Sequence, residues 1–170
     1  MKQLPSQEKR NEWKESKRDE VKAMKRSDWL LVLLHSPGHT GKENEPMDRL
    51  RITKTLFLLG REIKQLPNFY DFGPYLYGPF SLDIYKDLDG LLQDGYIWRE
   101  VTLPLNWSHY RLTGKGTEET QKIREKIEPS VIKKMEEIKR FVTGLSFSAL
   151  LKYVYSKYPE YARNSVINVS

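Results

Sequence analysis

The 170-residue sequence contains no cysteine and only three histidines, His35, His39 and His109. The absence of cysteine excludes disulfides, thiolate metal sites, iron–sulfur clusters and cysteine nucleophiles. His35 and His39 have the spacing of a His-x-x-x-His pair, but Pro37 and Gly38 between them stop the helix that would place both rings on one face. None of the three has a carboxylate-rich partner three or four residues away on one helix face. We therefore expect no bound metal.

The motifs of phosphate binding and acyl transfer are also missing. The sequence has no Gly-x-Gly-x-x-Gly and no Gly-x-Ser-x-Gly segment, and residues 114–117 lack the spaced first glycine of a phosphate-binding loop. Only carboxylates remain for catalysis. Asp83, Asp87 and Asp94 lie on the polar side of one predicted helix, which is typical of a solvated face. We predict a protein without enzymatic activity, with no catalytic residues and no cofactor.

Long apolar runs are absent as well. The longest run, residues 29–34, is far shorter than the roughly 20 residues of a membrane span. The N-terminal residues lack the apolar region of a signal peptide. We expect a cytoplasmic protein that does not contact membranes. Only 38% of the residues are hydrophobic, but 10 Tyr, 6 Phe and 4 Trp supply enough large side chains for a core.

The net charge of +6 is unevenly distributed. Residues 1–26 carry nine Lys or Arg against five Asp or Glu, which leaves a net charge of only +2 for residues 27–170. Within the latter part, residues 48–64 have a net charge of +3 and residues 79–94 have −3. A basic total indicates a polyanion partner only when the charge lies on the folded part. The two segments therefore favour different kinds of partner.

Hydrophobic periodicity divides the chain into three parts. Residues 1–26 are rich in helix formers and predict a basic helical arm or tail. Residues 27–116 predict three helices followed by a β-hairpin, and residues 117–170 predict further helices packed on this core. The predicted fold class is mainly α with a small β-hairpin, as a winged helix-turn-helix-like domain plus C-terminal helices.

Several local signals fix the expected ends of these elements. Ser27, Ser81 and Thr117 are placed to cap helices, and Gly95 is placed to end one. Two segments without a regular element are expected between the helices. One is an exposed loop without apolar residues, and the other is an aromatic loop with two Gly-Pro-type breaks. These cover residues 39–46 and 68–80, and the hairpin covers residues 96–101 and 107–112, joined through Pro104 and Asn106.

The order of elements suggests DNA as a partner. A winged-helix regulator would contact phosphates through two elements. These are the basic second helix of the core, within residues 48–64, and the wing, which is the hairpin. The alternative is an ordinary solvated basic face. The third helix, within residues 79–94, argues against specific recognition of a DNA sequence. Its segment has four Asp and one Lys, and this net negative charge would be repelled by the DNA phosphates. The candidate nucleic-acid-binding residues are Arg49, Arg51, Lys54, Arg99, Arg111 and Lys115.

Four segments carry a resemblance to a known family: residues 28–34, 50–59, 75–81 and 151–161. The most specific is Tyr-Gly-Pro-Phe-Ser at residues 77–81, followed by an amphipathic helix. Over roughly residues 28–167 the chain resembles the YwgA-like proteins, which are similar to the Panacea antitoxin-domain group. The resemblance implies a helical, winged-helix-like fold without known catalytic activity. On the Panacea side it implies a protein partner, a toxin that the domain neutralises.

A protein partner would be held by the aromatic loop and the acidic third helix, through Tyr75, Tyr77, Asp83 and Asp87. The aromatic residues could instead stack on bases or pack as a corner of the core. The same choice between packing and an interface applies to Tyr153, Tyr155, Tyr158 and Tyr161, and with the low apolar content it favours a homodimer. Two hypotheses stay open: a DNA-binding transcriptional regulator and a protein-interaction module. For a third, a small-molecule-binding regulator, the sequence offers no pocket signature.

Overall fold

The computed structural model describes residues 6–22, 24–64, 66, 69–102 and 107–168. In these residues the predicted mainly α fold with a small β-hairpin is confirmed. Pro104, Asn106 and Asn68, which were expected in the hairpin turn and the aromatic loop, lie outside the described residues. A short 3-10 helix (Pro159–Ala162) follows the last α-helix. In chain order the other elements are α1 (Gln7–Lys22), α2 (Arg26–His35), β1 (Met47–Asp48), α3 (Arg49–Glu62), β2 (Gly73–Tyr75), β3 (Gly78–Phe80), α4 (Leu82–Gln93), β4 (Ile97–Thr102), β5 (Trp107–Leu112), α5 (Gly114–Arg124), α6 (Pro129–Thr143) and α7 (Phe147–Lys157).

The main sheet is antiparallel and has the strand order β1-β5-β4, so the hairpin strand β5 is central. Ile97 lies opposite Leu112, and Met47 lies opposite Tyr110. These four side chains are buried and cover one end of the core. Strand β1 was not predicted, because two residues are too few to show the alternation of a strand.

The segment expected as an aromatic loop contains a second, two-stranded sheet. β2 and β3 pair antiparallel, with Pro74 opposite Pro79. The prediction of an irregular loop is therefore wrong for these six residues. Proline lacks the N–H that a central strand donates, but it is compatible with short strands at a sheet edge. The positive φ of 86° at Gly78 allows the chain to turn between the two strands.

Helix α2 is the centre of the core, and its residues 29–35 are all buried. It packs against α4, α5, α6 and β5. The longest apolar run of the sequence, residues 29–34, lies within this helix. The predicted cap at Ser27 is wrong, because the helix begins at Arg26 and the Asp28 carboxylate accepts a hydrogen bond from the Lys25 N–H at 2.9 Å. The boundary expected after residue 26 therefore falls inside this helix.

The C-terminal end of α2 is closed by a buried lysine from another helix. The Lys139 side chain of α6 is 0% exposed, and its Nζ donates to the carbonyl oxygens of Leu33, Leu34 and Ser36 at 3.0, 3.0 and 2.6 Å. A fourth bond, of 3.3 Å, reaches the Glu45 carbonyl. A cation here complements the partial negative charge of the helix end. Burial lowers the pKa of Lys139 to about 7, although the Glu45 carboxylate opposes this shift.

Helices α5 and α6 pack against α2, and α6 also packs against α3. The Ser146 hydroxyl accepts a hydrogen bond from the Ala149 N–H and caps α7. Helix α5 begins earlier than expected. Its cap is Thr113, whose hydroxyl accepts from the Gly116 N–H at 3.0 Å, and not Thr117. Glycines usually discourage a helix, and here two of them lie inside its first turn.

Three of the four tyrosines considered for a homodimer interface pack within the chain. The rings of Tyr158 and Tyr161 meet the Phe57 ring edge-on, with centroids 5.0 and 4.7 Å away. Tyr155 is also buried, and its hydroxyl donates to the Ser165 hydroxyl at 2.7 Å. These contacts join α7 and the chain that follows it to α3. The three tyrosines thus make these contacts within a single chain.

The predicted exposed loop is only half exposed. Residues 39–43 are exposed, while residues 44–46 are half-buried. Asn44 has a φ of 55°, and its side chain accepts from the Leu112 N–H at 2.8 Å and donates to the Leu112 carbonyl at 3.2 Å. Asn44 therefore pairs with β5 as a neighbouring strand would, and holds the loop against the sheet.

Candidate functional site

The basic residues predicted on α3 lie on different sides of the helix. Of the candidates Arg49, Arg51 and Lys54, only Arg49 is exposed. Lys54 is 3% exposed, and its Nζ donates to the Pro79 carbonyl at 3.0 Å. Burial lowers the pKa of Lys54 to about 7, although Asp48 opposes the shift. A buried amine cannot reach a phosphate, so the prediction that Lys54 contacts nucleic acid is wrong.

Arg51 is tied to the protein at two points. Its Nη1 forms an ion pair with Asp48 Oδ2 at 2.8 Å, and its Nη2 donates to the Leu145 carbonyl at 2.9 Å. The Asp48 side chain is the N-cap of α3 and also accepts from the Arg51 N–H. Arg51 therefore holds the start of α3 against the segment before α7. We remove it from the candidate interface, because both contacts would have to break for it to bind a phosphate.

The two arginines of the hairpin lie on opposite faces of the sheet. Arg99 pairs with Tyr110 and Arg111 pairs with Trp98, and directly opposed residues share a face. The guanidinium of Arg111 lies 4.1 Å from the Trp98 ring centroid and forms an ion pair with Glu100 at 3.1 Å. Arg99 is exposed. One flat ligand surface cannot contact both arginines, so they do not form the single basic wing that the sequence suggested.

Lys115, at the start of α5, lies beside the end of α4. Its Nζ donates to the Asp94 carbonyl at 2.7 Å and lies 4.3 Å from the Tyr96 ring centroid. The side chain remains exposed. Lys115 therefore has a structural contact and can still meet solvent.

The acidic residues proposed for a protein partner are paired within the chain. The Arg26 guanidinium donates to both carboxylate oxygens of Asp87 and to Asp83 Oδ2, at 3.0 to 3.1 Å. The hydroxyl of Tyr70 also donates to Asp87, at 2.6 Å. The Asp87 side chain is only 17% exposed. Asp87 is therefore an internal anchor, and we withdraw it from the interaction surface. Asp83 is paired with Arg26, but its side chain is 43% exposed and it stays a candidate.

The same contact changes the charge that α4 presents to solvent. Arg26 partly neutralises Asp83 and Asp87 of α4. The exposed residues of α4 are Leu82, Lys86, Asp89 and Gln93. This stripe carries one positive and one negative charge. The predicted acidic face is thus close to neutral, because its compensating cation comes from outside the helix.

Tyr75 and Tyr77, the other two residues proposed for a partner, are exposed at 51% and 42%. Leu76 between them is 40% exposed, and Leu82 at the start of α4 is 56% exposed. We call these four residues the turn patch. The remaining aromatic residues of this segment pack inward, as in the stacking of Phe69 on Trp29 with centroids 5.9 Å apart. The patch is thus the exposed part of an otherwise packed aromatic corner.

A groove of about 440 Å³ lies beside the turn patch. It is lined by the start of α3, Tyr77 of the turn, the start of β5, the start of α7 and the C-terminal segment. At the edge of this groove, the guanidinium of Arg49 lies over the Tyr85 ring, 4.5 Å from its centroid. Burial raises the pKa of Tyr85, and Arg49 opposes this shift. We call this feature the aromatic groove.

Most of the aromatic groove was missed by sequence reasoning. Tyr85 lies in α4, Trp107 begins β5 and Phe147 begins α7. These residues are separated by tens of positions in the chain, and no local pattern brings them together. For α3 a signal was available. At 3.6 residues per turn, Arg51 and Lys54 lie on the opposite side of the helix from Arg49.

The described residues offer no clustered metal ligands. Among residues 6–22, 24–64, 66, 69–102 and 107–168, no three His, Asp or Glu side chains come close enough to hold an ion. His35 is buried at the end of α2, and burial is the main reason that its pKa is lowered. In the same part of the chain, none of the helices combines the length and the apolar character that a membrane crossing needs.

Comparison with protein-family models gives no match to this chain. Comparison with curated proteins also gives no match.

Proposed function

We propose that this chain is a non-enzymatic, winged-helix-like protein-interaction module of the cytoplasm, and that the turn patch is its contact surface. The observation that supports the proposal is the exposure of four large apolar side chains, three at the β2–β3 turn and Leu82 at the start of α4, at 40% to 56% each. Exposed apolar patches are uncommon on monomeric proteins and are typical of interaction sites. Aromatic residues are also enriched among the residues that dominate binding energy.

The turn patch is held in place without a partner. Tyr75 stacks on Phe80 with ring centroids 4.9 Å apart. The Val166 N–H donates to the Leu76 carbonyl at 3.0 Å, and the Asn164 side-chain amide donates to the Pro74 carbonyl at 3.2 Å. The C-terminal segment therefore braces the turn from one side. A preorganised surface loses little conformational entropy on binding, which favours affinity.

The partner we propose is a different protein that presents an apolar surface of its own. The four side chains of the patch are uncharged, and Asp83, which follows Leu82 in the chain, is paired with Arg26. Binding would thus depend little on ionic strength and mainly on apolar burial, at roughly 25 cal/mol per Å². The resemblance to the Panacea group agrees with a heterologous protein partner.

The test is a capture experiment with the full chain and a double variant, Tyr75→Ser with Leu82→Ser. Both baits are used in extracts of the source cells, with quantitative mass spectrometry of the captured proteins. Any candidate is then purified, and its affinity for both baits is measured by calorimetry. We expect at least a tenfold loss in the double variant, because two exposed apolar anchors are removed.

Val101→Ser is the matched control, since Val101 is 48% exposed on the hairpin and lies outside the turn patch. Capture by this control should equal that of the unchanged chain. Equal capture by all three baits would contradict the proposal. Light scattering separates a second outcome: a dimer that dissociates only in the double variant would make the partner another copy of this chain.

A second candidate function, a DNA-binding transcriptional regulator, is favoured by the order of elements. Helix α2, strand β1, helices α3 and α4 and the hairpin β4–β5 follow each other as in a winged helix, with β5 between β1 and β4. Arg49 and Arg99 are exposed basic residues of this part. The arm adds further positive charge.

A salt titration of binding to random duplex DNA tests this second candidate. The full chain is compared with a chain that lacks residues 1–22, a cut that preserves Arg26 and its contact with Asp87. If the fold binds DNA, the affinity of the shortened chain should still fall steeply with salt concentration. Arg99→Gln should make this fall less steep, because one phosphate contact is lost. Loss of all binding on deletion would reject DNA contacts by the fold.

A further inference from the structure

The aromatic groove has the size and lining of a small-molecule site. Its volume of about 440 Å³ lies within the roughly 300 to 1,000 Å³ of ligand pockets. Four of its lining residues are aromatic and two are aliphatic, so a ligand would meet mainly apolar atoms. The rings of Tyr77 and Phe147 meet edge-on with centroids 5.7 Å apart and form one wall. The lining residues used here are Leu50, Tyr77, Tyr85, Trp107, Phe147 and Ile167.

The charge at the groove is positive. Asp48 is also in the lining, but its side chain is only 8% exposed and pairs with the Arg51 guanidinium and the Arg51 N–H. The Asp48 charge is therefore compensated from within the protein. Arg49 is exposed, and no described carboxylate forms an ion pair with it. A ligand would thus meet one uncompensated guanidinium beside an apolar wall.

This combination selects among ligand classes. A ligand cation is disfavoured, because Arg49 already covers the Tyr85 ring face at 4.5 Å and would repel a second positive charge. A phosphate dianion is disfavoured as well, since the groove offers it a single arginine and the neighbouring Asp48. A carboxylate carries one negative charge and matches the planar guanidinium in a two-point contact. The apolar walls suit a flat ring attached to that carboxylate.

We propose that the aromatic groove binds a small aromatic carboxylate, with its ring against Trp107, Tyr77 and Phe147 and its carboxylate on the Arg49 guanidinium. Ser108 is also among the residues that line the groove. This site does not depend on the proposed protein interaction, because it rests on residues that the double variant of the turn patch leaves unchanged.

The test uses phenylacetate and indole-3-acetate as probes, with phenylacetamide and indole-3-acetamide as neutral controls of nearly the same shape. Calorimetry with the full chain should show binding of the acids. The amides should bind about tenfold more weakly, because a charged hydrogen bond is replaced by a neutral one. Arg49→Gln should remove this preference for the acid. Arg99→Gln, which changes an exposed arginine outside the groove, should keep it.

A second variant gives an independent readout. The acids should change the tryptophan fluorescence of the unchanged chain, and Trp107→Phe should remove this change while calorimetric binding remains. Circular dichroism confirms that each variant is folded. The proposal is overturned if no acid binds at millimolar concentration, if acid and amide bind equally, or if Arg49→Gln keeps the preference. The acids can bind when the turn patch captures no protein, and the turn patch can capture a protein when no acid binds. The two proposals are therefore judged separately.

Discussion

The guanidinium of Arg26 makes a two-point contact with the carboxylate of Asp87, with Nε donating to Oδ2 at 3.0 Å and Nη2 donating to Oδ1 at 3.1 Å. The contact joins the first residue of α2 to the middle of α4, 61 positions away in the chain. The hydrogen bond to Asp87 is the main reason that the pKa of Arg26 lies above its ordinary value. Tyr70 completes the cluster by donating to the same carboxylate.

We predict that Arg26→Gln lowers the free energy of unfolding by about 1 kcal/mol, because it breaks a two-point contact whose partners are partly exposed. Urea denaturation measures the loss. The matched control is Lys86→Gln, since Lys86 lies 3.9 Å from Asp83 and is itself exposed. An equal effect of the two substitutions would show that the two-point geometry adds nothing to stability.

We predict that Lys139→Met lowers the free energy of unfolding by about 2 to 4 kcal/mol. Methionine keeps most of the side-chain volume, but it leaves four buried carbonyl oxygens without their donor. Thermal and urea denaturation measure this effect. Lys134→Met on the exposed face of α6 is the control and should change stability by less than about 0.5 kcal/mol. Similar stability of both variants would reject the capping role of Lys139.

We predict that the protein becomes more stable from about pH 7 to about pH 9. The pKa values of buried Lys54 and Lys139 are about 7, below the ordinary value of 10.5. In this interval the unfolded chain binds more protons than the folded chain, so the free energy of unfolding rises with pH, by at most about 1.4 kcal/mol per pH unit for each lysine. The rise ends near the unfolded pKa.

Urea denaturation at several pH values measures this dependence. Lys54→Met should make the free energy of unfolding rise less steeply with pH, because only Lys139 then contributes. This holds whatever the effect of the substitution on stability at a single pH. Measurements stop near pH 9, because burial raises the pKa of Tyr70 and ionisation of tyrosine in the unfolded chain would then lower stability. A flat or falling profile between pH 7 and pH 9 would be incompatible with two buried lysines of lowered pKa.

We predict opposite effects of alanine at two helical glycines. A Cβ at Gly116 would lie 1.9 Å from the Tyr96 carbonyl oxygen, so Gly116→Ala should lower the free energy of unfolding by about 2 kcal/mol or more. A Cβ at Gly90 meets no atom within 4 Å, so Gly90→Ala should raise it by up to about 1 kcal/mol through better helix propensity. Thermal melting of both variants gives the comparison, and destabilisation by Gly90→Ala would contradict it.

The elements with strong local signals were predictable. The apolar run of α2, the periodicity of α4 and the hairpin strands β4 and β5 all lie where the sequence placed them. Gly95 has the positive φ of 76° expected of a residue that ends a helix. Short or unusual features were not predictable. Strand β1 has two residues, and the β2–β3 pair depends on prolines that normally argue against strands.

The candidate site was predictable only in part. Tyr75 and Tyr77 are exposed as a partner surface requires. Lys54 and Asp87 were assigned to surfaces by residue type, and the structure buries the first and pairs the second. Residue type indicates how a side chain behaves in water. It does not indicate whether a distant carbonyl or guanidinium will be placed beside it.

The sequence by itself determined the longer helices and the strands of the hairpin, since hydrophobic periodicity acts over a few positions. It also determined that the chain carries neither thiol chemistry nor a phosphate-binding loop. Only the tertiary structure decided which charges remain available, because Arg26 reaches α4 and Lys139 reaches the end of α2. The aromatic groove is likewise a product of packing, in which Trp107 and Phe147 become neighbours of Arg49.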